Sequence, residues 1–338
     1  MNICFKIFVI LWIILFLFVF SLKINNANIE NFENKKENDL FLWSKRATNL
    51  SSYNLLDTET ISAKDVVKRE IKNSKDIVWI RNTSKNNEYT TDLDHFSSLL
   101  NELDKPIILI TSDGDRSVPS SYNEKMVSKI LDSPKILKWY TQNYDKTITH
   151  PKLSYYPIGL DMHTEKFLDY PQNNITKLSY YRNKKFNLFL KIRKAFNNKK
   201  KNKIFCDSHL SVSHSRRKQM HNILKNNKLI DFQNKRVSNK QILKKYAQYK
   251  FVLSPRGNGL DCHRTWEVLL LGSIVITETS SLDDMYIKNN LPVIIVNNYN
   301  ELNNKSFKEL DIWWNKNKSK CEKENILPKF KPSYWYNL

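Results

Sequence analysis

Short apolar runs separated by amphipathic stretches fill the chain from residue 65 onward. Ile77 to Ile80, Ile107 to Thr111, Ile136 to Tyr140 and Leu153 to Ile158 have strand length and β-branched or aromatic content, while Leu93–Leu103 and Ser121–Leu131 between some of them carry helical spacing. Asp65 to Lys72 also reads as a helix. A second series follows the basic stretch 184–203. It runs through a strand at Ile204 to Cys206, helices at Ser215 to Asn226 and Gln241 to Gln248, and a strand at Phe251 to Leu253. A turn, a helix ending at Leu271, a strand at Ile274 to Thr277, a short helix at Leu282–Lys288 and a strand at Val293 to Val296 complete it. Asn303 to Lys318 predicts a further helix carrying Trp313 and Trp314. Strands that alternate with helices need crossovers, and crossovers give parallel sheets. The expected class is α/β, with two Rossmann-like lobes and a cleft between them, over 65–200 and 201–338.

The first residues follow another pattern. Ile7 to Leu22 is apolar except for Ser21 and is flanked by Lys6 and Lys23, which suits a short membrane span or a signal-peptide core. No small-x-small cleavage site follows, so residues 1–23 are expected to form an uncleaved signal-anchor helix, a cleaved peptide being the alternative. Lys6 and the terminal amine place the N-terminus in the cytoplasm and the body in the lumen. Residues 24–64 are polar without sustained periodicity and read as a stem. The expectation is a single-pass type II membrane protein on the Golgi or ER lumen side.

Composition narrows the partners. An apolar content of 41% with 12% aromatics in 338 residues supports ordered cores. A net charge of +21 invites a nucleic-acid reading. Apart from Lys199, Lys200, Lys201 and Lys203, however, the lysines are scattered and accompanied by Asn, so no nucleic-acid partner is expected and the basic surface favours anionic ligands instead. Cys206, Cys262 and Cys321 form neither a disulfide framework nor a zinc spacing.

The chain has only five glycines, and three of them, Gly257, Gly259 and Gly272, fall within residues 250–279. Glycine there marks a backbone that bends tightly or approaches a ligand closely. The strand Phe251 to Leu253 runs into a turn at Ser254, Pro255, Arg256, Gly257, Asn258 and Gly259, and a helix starts near Asp261. Free amides at a helix start face anions. Arg264 and Glu267, three apart, share a helical face, either as ligand contacts or as an intrahelical ion pair. The third glycine of a dinucleotide fingerprint is absent, Cys262 standing in its place, and there is no Walker lysine.

The run Ser-Pro-Arg-Gly-Asn-Gly-Leu-Asp-Cys-His-Arg-Thr-Trp-Glu, followed by Leu271-Gly272, Ile274-Val275-Ile276, Ser281-Leu282-Asp283-Asp284-Met285-Tyr286 and Leu291-Pro292-Val293-Ile294-Ile295-Val296, resembles the donor-binding half of exostosin-like glycosyltransferases, family 47-like and nearest in type to the ribitol-phosphate xylosyltransferase-like branch. The resemblance covers residues 240–300 well. Upstream, Tyr156–Thr164 and Ser112–Asp115 look like segments of related proteins but are less diagnostic. The resemblance implies a GT-B fold, an acceptor-side first lobe, a nucleotide-sugar donor in the second, a glycan or glycoprotein acceptor, and transfer that inverts the anomeric centre without cofactor or divalent metal. It also admits a partner transferase, since related proteins act in pairs, and a catalytically inactive nucleotide- or glycan-binding form.

Carried over by position, Ser254, Arg256, Gly257, Asn258, Gly259 and Arg264 would bind the diphosphate and Glu267 the ribose hydroxyls. Asp261 reads as a helix cap or a sugar contact, and His263 as a phosphate contact or a surface residue. Inverting transfer needs a base across the cleft. Asp113, Asp115, Asp161 and His163 follow predicted strands, and Asp161 with His163 is the preferred pair. Asp113-Gly114-Asp115 also fits a rival, the metal-binding element of single-lobed GT-A transferases.

Overall fold

A computed structural model of the chain describes residues 41–44, 64–73, 76–82, 90–162, 175–211 and 214–336. The expected anchor at 1–23, most of the expected stem and His163 lie outside these residues. Among the described residues no helix is long and apolar enough to cross a membrane.

Two separate parallel sheets carry the architecture. The first holds β1 (Ile77–Arg81), β2 (Ile107–Ser112), β3 (Ile136–Thr141) and β4 (Leu153–Tyr155) in sequential order. Its helices are α1 (Lys64–Asn73), α2 (Asp92–Ser98) and α3 (Glu124–Asp132). The long α4 (Ile175–Phe196) leads to the second sheet, which holds β5 (Lys201–Cys206), β6 (Ile230–Phe232), β7 (Tyr249–Leu253), β8 (Ile274–Glu278) and β9 (Val293–Val296) in the order β6-β5-β7-β8-β9. Around it lie α5 (Ser215–Leu224), α6 (Asn239–Gln248), α7 (His263–Leu270), α8 (Asp283–Lys288) and α9 (Phe307–Asn317), with α10 (Lys323–Ile326) and α11 (Pro332–Tyr336) closing the chain. Every strand pair is parallel. The α/β class read from the apolar pattern is therefore the one observed.

Local chemistry explains the boundaries. Thr91 with Asp94, Ser238 with Gln241, and Ser306 with Glu309 form capping boxes that start α2, α6 and α9. Phe251 to Leu253 and Ile274 to Ile276 are wholly buried, as parallel strands covered on both faces must be. The apolar pattern does not announce β6, a strand of three residues, or α4, whose lysines and arginines interrupt any clear stripe.

One apolar core spans both sheets. Trp79, Ile110 and Tyr140 from the first sheet, Phe189 and Ile192 from α4, Trp266 and Leu269 from α7, and Phe330 and Trp335 from the C-terminal segment belong to a single buried cluster. Each lobe also has its own outer core, around Phe96, Val127 and Trp139 in one and around Met220, Phe251 and Leu310 in the other.

Candidate functional site

In the second sheet the chain runs outward from β5 to β6 and then crosses to β7, so the strand order reverses between β5 and β7. Ligands of open parallel sheets bind in the crevice at the carboxyl ends of strands flanking such a reversal. Here that crevice receives Asp207 after β5, the loop 254–262 after β7, and the first turns of α5 and α7.

Arg264 is the anchor of the crevice. Its Nε donates to Asp207 Oδ1 at 3.0 Å and to the Tyr246 hydroxyl at 3.1 Å, while that hydroxyl donates to Asp207 Oδ2 at 3.0 Å. Burial opposes the charge, but Asp207 and Tyr246 hold the guanidinium well above the ordinary arginine value. Its Nη1 is buried without a hydrogen-bond partner. The ion pair goes to Asp207 and not to Glu267 one turn further along, so the intrahelical alternative is not formed.

Arg217, on α5, approaches the same place from beneath. Its Nε donates to the Arg256 carbonyl at 3.1 Å and its Nη2 to Cys262 Sγ at 3.6 Å. Gly257 makes this approach feasible, because a Cβ there would stand 3.1 Å from Arg217 Nη2. Arg256 donates from Nη2 to the Asn258 carbonyl at 3.1 Å and keeps a buried Nε without partner. Burial lowers the pKa of both Arg217 and Arg256, and neither forms an ion pair among the described residues. Two guanidinium groups, those of Arg217 and Arg264, thus gather near one carboxylate. A buried charge without a partner is costly, which makes the crevice a place where an anion is stabilised.

Glu267 lies deeper. Burial raises its carboxyl to about 8, against the pull of Lys185 and Arg264 and with the help of Asp161 and Asp207. Near neutrality it is largely a carboxylic acid, able to donate a hydrogen bond as well as accept one. The Asp161 charge therefore bears on Glu267, and the Asp161 carbonyl accepts a hydrogen bond from Lys185 Nζ.

The remaining expected contacts face other ways. Asp261 does not cap α7: Cys262 holds the cap position and makes no side-chain cap bond. The Asp261 carboxylate accepts from the amides of Ile158 and Cys262 at 2.8 Å each and from Trp266 Nε1 at 3.0 Å, so it is a latch between the lobes. Burial raises it to about 6. His263 Nδ1 lies 2.8 Å from the Gly159 carbonyl, again across the junction. Gly259 faces Asn143, whose Oδ1 accepts from the Asp261 amide at 2.9 Å. Asp113 occupies a left-handed turn after β2, at φ 66°, and its amide donates to Gln142 Oε1 at 3.0 Å. The two sheets set aside the single-lobed rival.

On the other side of the glycine loop, at the ends of β7 and β8, lies a chamber of about 440 Å³ between the lobes. Ser254 and Arg256 belong to its wall, and the Ser254 and Thr265 hydroxyls bond at 2.9 Å.

Asp207, Arg217, Tyr246, Asn143 and Lys185 escaped the sequence reading. Two of them carried a signal. Asp207 directly follows the predicted strand Ile204 to Cys206, and Arg216-Arg217 opens a predicted helix. Asn143 and Lys185 are tied to the site only by tertiary contact.

No known family model matches the chain, and no curated protein does. Among solved structures it is similar to an α,α-trehalose-phosphate synthase (UDP-forming) from Burkholderia vietnamiensis, at 9% identity and TM-score 0.42 over 80% of this chain and 76% of that one. It is similar to the α,α-trehalose 6-phosphate synthase of Burkholderia multivorans at 11% identity and TM-score 0.42, over 83% of this chain and 74% of that one. A structure from E. coli bound with UDP-2-fluoro glucose gives 10% identity and TM-score 0.37, over 79% of this chain and 76% of that one. Likeness at this level carries no weight for activity; the architecture rests on the strand pairing and the function on the site.

Proposed function

We propose that the chain is a GT-B type, exostosin-like glycosyltransferase that moves a sugar from a nucleotide-sugar donor to a hydroxyl of a glycan or glycoprotein. The observation that supports this best is the excess of guanidinium charge at the β5/β7 reversal, where, among the described residues, Arg217 lacks a carboxylate partner and Arg264 keeps a buried Nη1 unbonded. A diphosphate is the biological anion that fits a glycine-lined helix start with several arginines. On this reading Arg264, Arg217 and the loop 254–259 hold the diphosphate, and Glu267 bonds a ribose hydroxyl.

In the transfer step the acceptor oxygen forms a bond to the anomeric carbon. The bond from that carbon to the diphosphate oxygen breaks, and its electron pair leaves with the diphosphate, stabilised by the arginines. The acceptor's proton passes to a base from the first lobe, for which Asp161 with His163 is the proposal. Arginine charge takes the part a metal would otherwise play, and the anomeric centre inverts. The apolar segment at residues 7–22 would anchor the enzyme with its body in the Golgi or ER lumen.

The test uses the full chain in detergent with UDP, GDP, ADP and CDP sugars, read by thermal shift and by product formation. At least one nucleotide sugar should raise the melting temperature. Arg264→Ala should weaken its binding by about 100-fold or more, the loss of a charge-assisted contact worth roughly 3 kcal/mol. Excess chelator should leave transfer intact. A panel in which nothing binds, or an Arg264→Ala protein that binds like the wild type, would overturn the reading. Binding without transfer to any acceptor would leave a nucleotide-binding partner subunit.

A further inference from the structure

We propose that the chamber on the β7/β8 side of the glycine loop binds an uncharged saccharide at the same time as the crevice on the β5/β7 side binds the nucleotide. The chamber and the arginine cluster of the crevice meet at the glycine loop. Ser254, Arg256 and Leu260 line the chamber, while the Arg256 carbonyl and Gly257 contact Arg217 on the crevice side.

Charge separates their ligands. In the crevice the guanidinium groups outnumber the carboxylates. In the chamber Arg216 forms an ion pair with Glu278 through two parallel hydrogen bonds, one of them from Nε at 2.7 Å. Arg256 on one wall is matched in number by Asp145 on the other. The formal charge of the lining therefore cancels, and an anionic ligand gains no net attraction there.

Its surface instead suits hydroxyl groups. Nine of the sixteen lining residues are Ser or Thr, and each of those hydroxyls can both donate and accept. A hydroxyl already engaged, such as Ser254 with Thr265, retains acceptor capacity. Asp145 is fixed by the Ser120 amide at 3.2 Å and the Thr147 amide and hydroxyl at 3.0 and 2.8 Å, which presents a set carboxylate to a sugar hydroxyl. The buried Arg256 Nε has a donor to spare. A volume of about 440 Å³ lies in the usual range for small-ligand pockets, roughly 300–1,000 Å³. That this saccharide is the acceptor rests on the proposed transferase function; that a neutral saccharide binds here does not.

The experiment is saturation-transfer NMR on the full chain in detergent with lactose, cellobiose, xylobiose and chitobiose, with cellobiuronic acid and glucose 6-phosphate as charged counterparts, each with and without saturating UDP, GDP and ADP. At least one neutral disaccharide should show transfer that persists in the presence of nucleotide. Ser120→Trp and Ser280→Trp, which fill the chamber from opposite lobes at exposed lining positions, should each reduce that transfer by about tenfold or more while the melting temperature holds. Binding of the charged sugars alone, displacement of the disaccharide by a nucleotide, survival of binding in both filled variants, or no binding by any neutral disaccharide would each overturn the proposal. A saccharide that binds while no nucleotide does would sustain the saccharide site, overturn joint occupancy and remove the transferase reading.

Discussion

Glu267 sits three residues from Arg264 yet takes no ion pair from it, and that separation shapes its chemistry. Held by burial, the carboxyl keeps its proton to about pH 8, whereas its ordinary value is 4.5. Between those values the native state binds more protons than the unfolded chain, so this group makes stability fall as pH rises. Glu267→Gln is neutral throughout and lacks that loss. Relative to the wild type, the variant should therefore gain stability from about pH 5 to about pH 8, at up to roughly 1.4 kcal/mol per unit of pH. Urea unfolding at the two pH values measures it. Equal differences at both would mean that Glu267 ionises freely in the folded protein, with Lys185 and Arg264 outweighing burial.

At the scale of elements, the loop from β7 to α7 is positioned by what presses against its glycines. Neither Gly257 nor Gly259 has a positive φ, so it is space and not backbone conformation that excludes a side chain. A Cβ at Gly259 would come within 2.8 Å of Asn143 Nδ2, and Asn143 is tied down by bonds to the Gly114 carbonyl at 3.0 Å and the Asp261 amide at 2.9 Å. Gly259→Ala should destabilise by about 1–3 kcal/mol through overpacking, and by much less in an Asn143→Ala background. Additive denaturation energies would show that Asn143 is not the obstacle. The sequence makes this loop visible as a cluster of glycines after an apolar strand, and the strands of both sheets are legible because buried parallel strands are short, continuous apolar runs. What escaped was set by tertiary contact. Ile230–Phe232 is a strand through pairing with β5, and Asp261, placed like a helix cap, turns its carboxylate toward Ile158 and Trp266. Arg217 opens a predicted helix, but only the fold brings it beneath Gly257.

Across residues 41–336 the two sheets share a core, and this bears on how the cleft behaves. Domains joined by a small polar contact move by default, while a large apolar junction holds them. Here the junction includes Trp266, whose ring centroid lies 5.5 Å from Trp335 and 6.0 Å from Phe330, and the Leu42 amide donates to the Phe330 carbonyl at 2.7 Å. Polar ties add to it: Tyr155 donates to the Ser281 carbonyl at 2.7 Å and Ser281 to the Tyr144 carbonyl at 2.9 Å. The chamber lies on this junction, so the shared core should hold its two walls in place without closure around a ligand. Trp335 is 1% exposed and lies far along the chain from the first sheet, which makes it a probe of that coupling. Trp335→Ala should cost about 3–5 kcal/mol, as removal of a buried indole does, and the loss should be felt in both lobes. Native-state hydrogen exchange distinguishes the cases, because amides of Leu109 in β2 and Val275 in β8 should lose protection to a similar degree. If Val275 alone were affected, the lobes would unfold separately, and a hinged cleft would replace the fixed one.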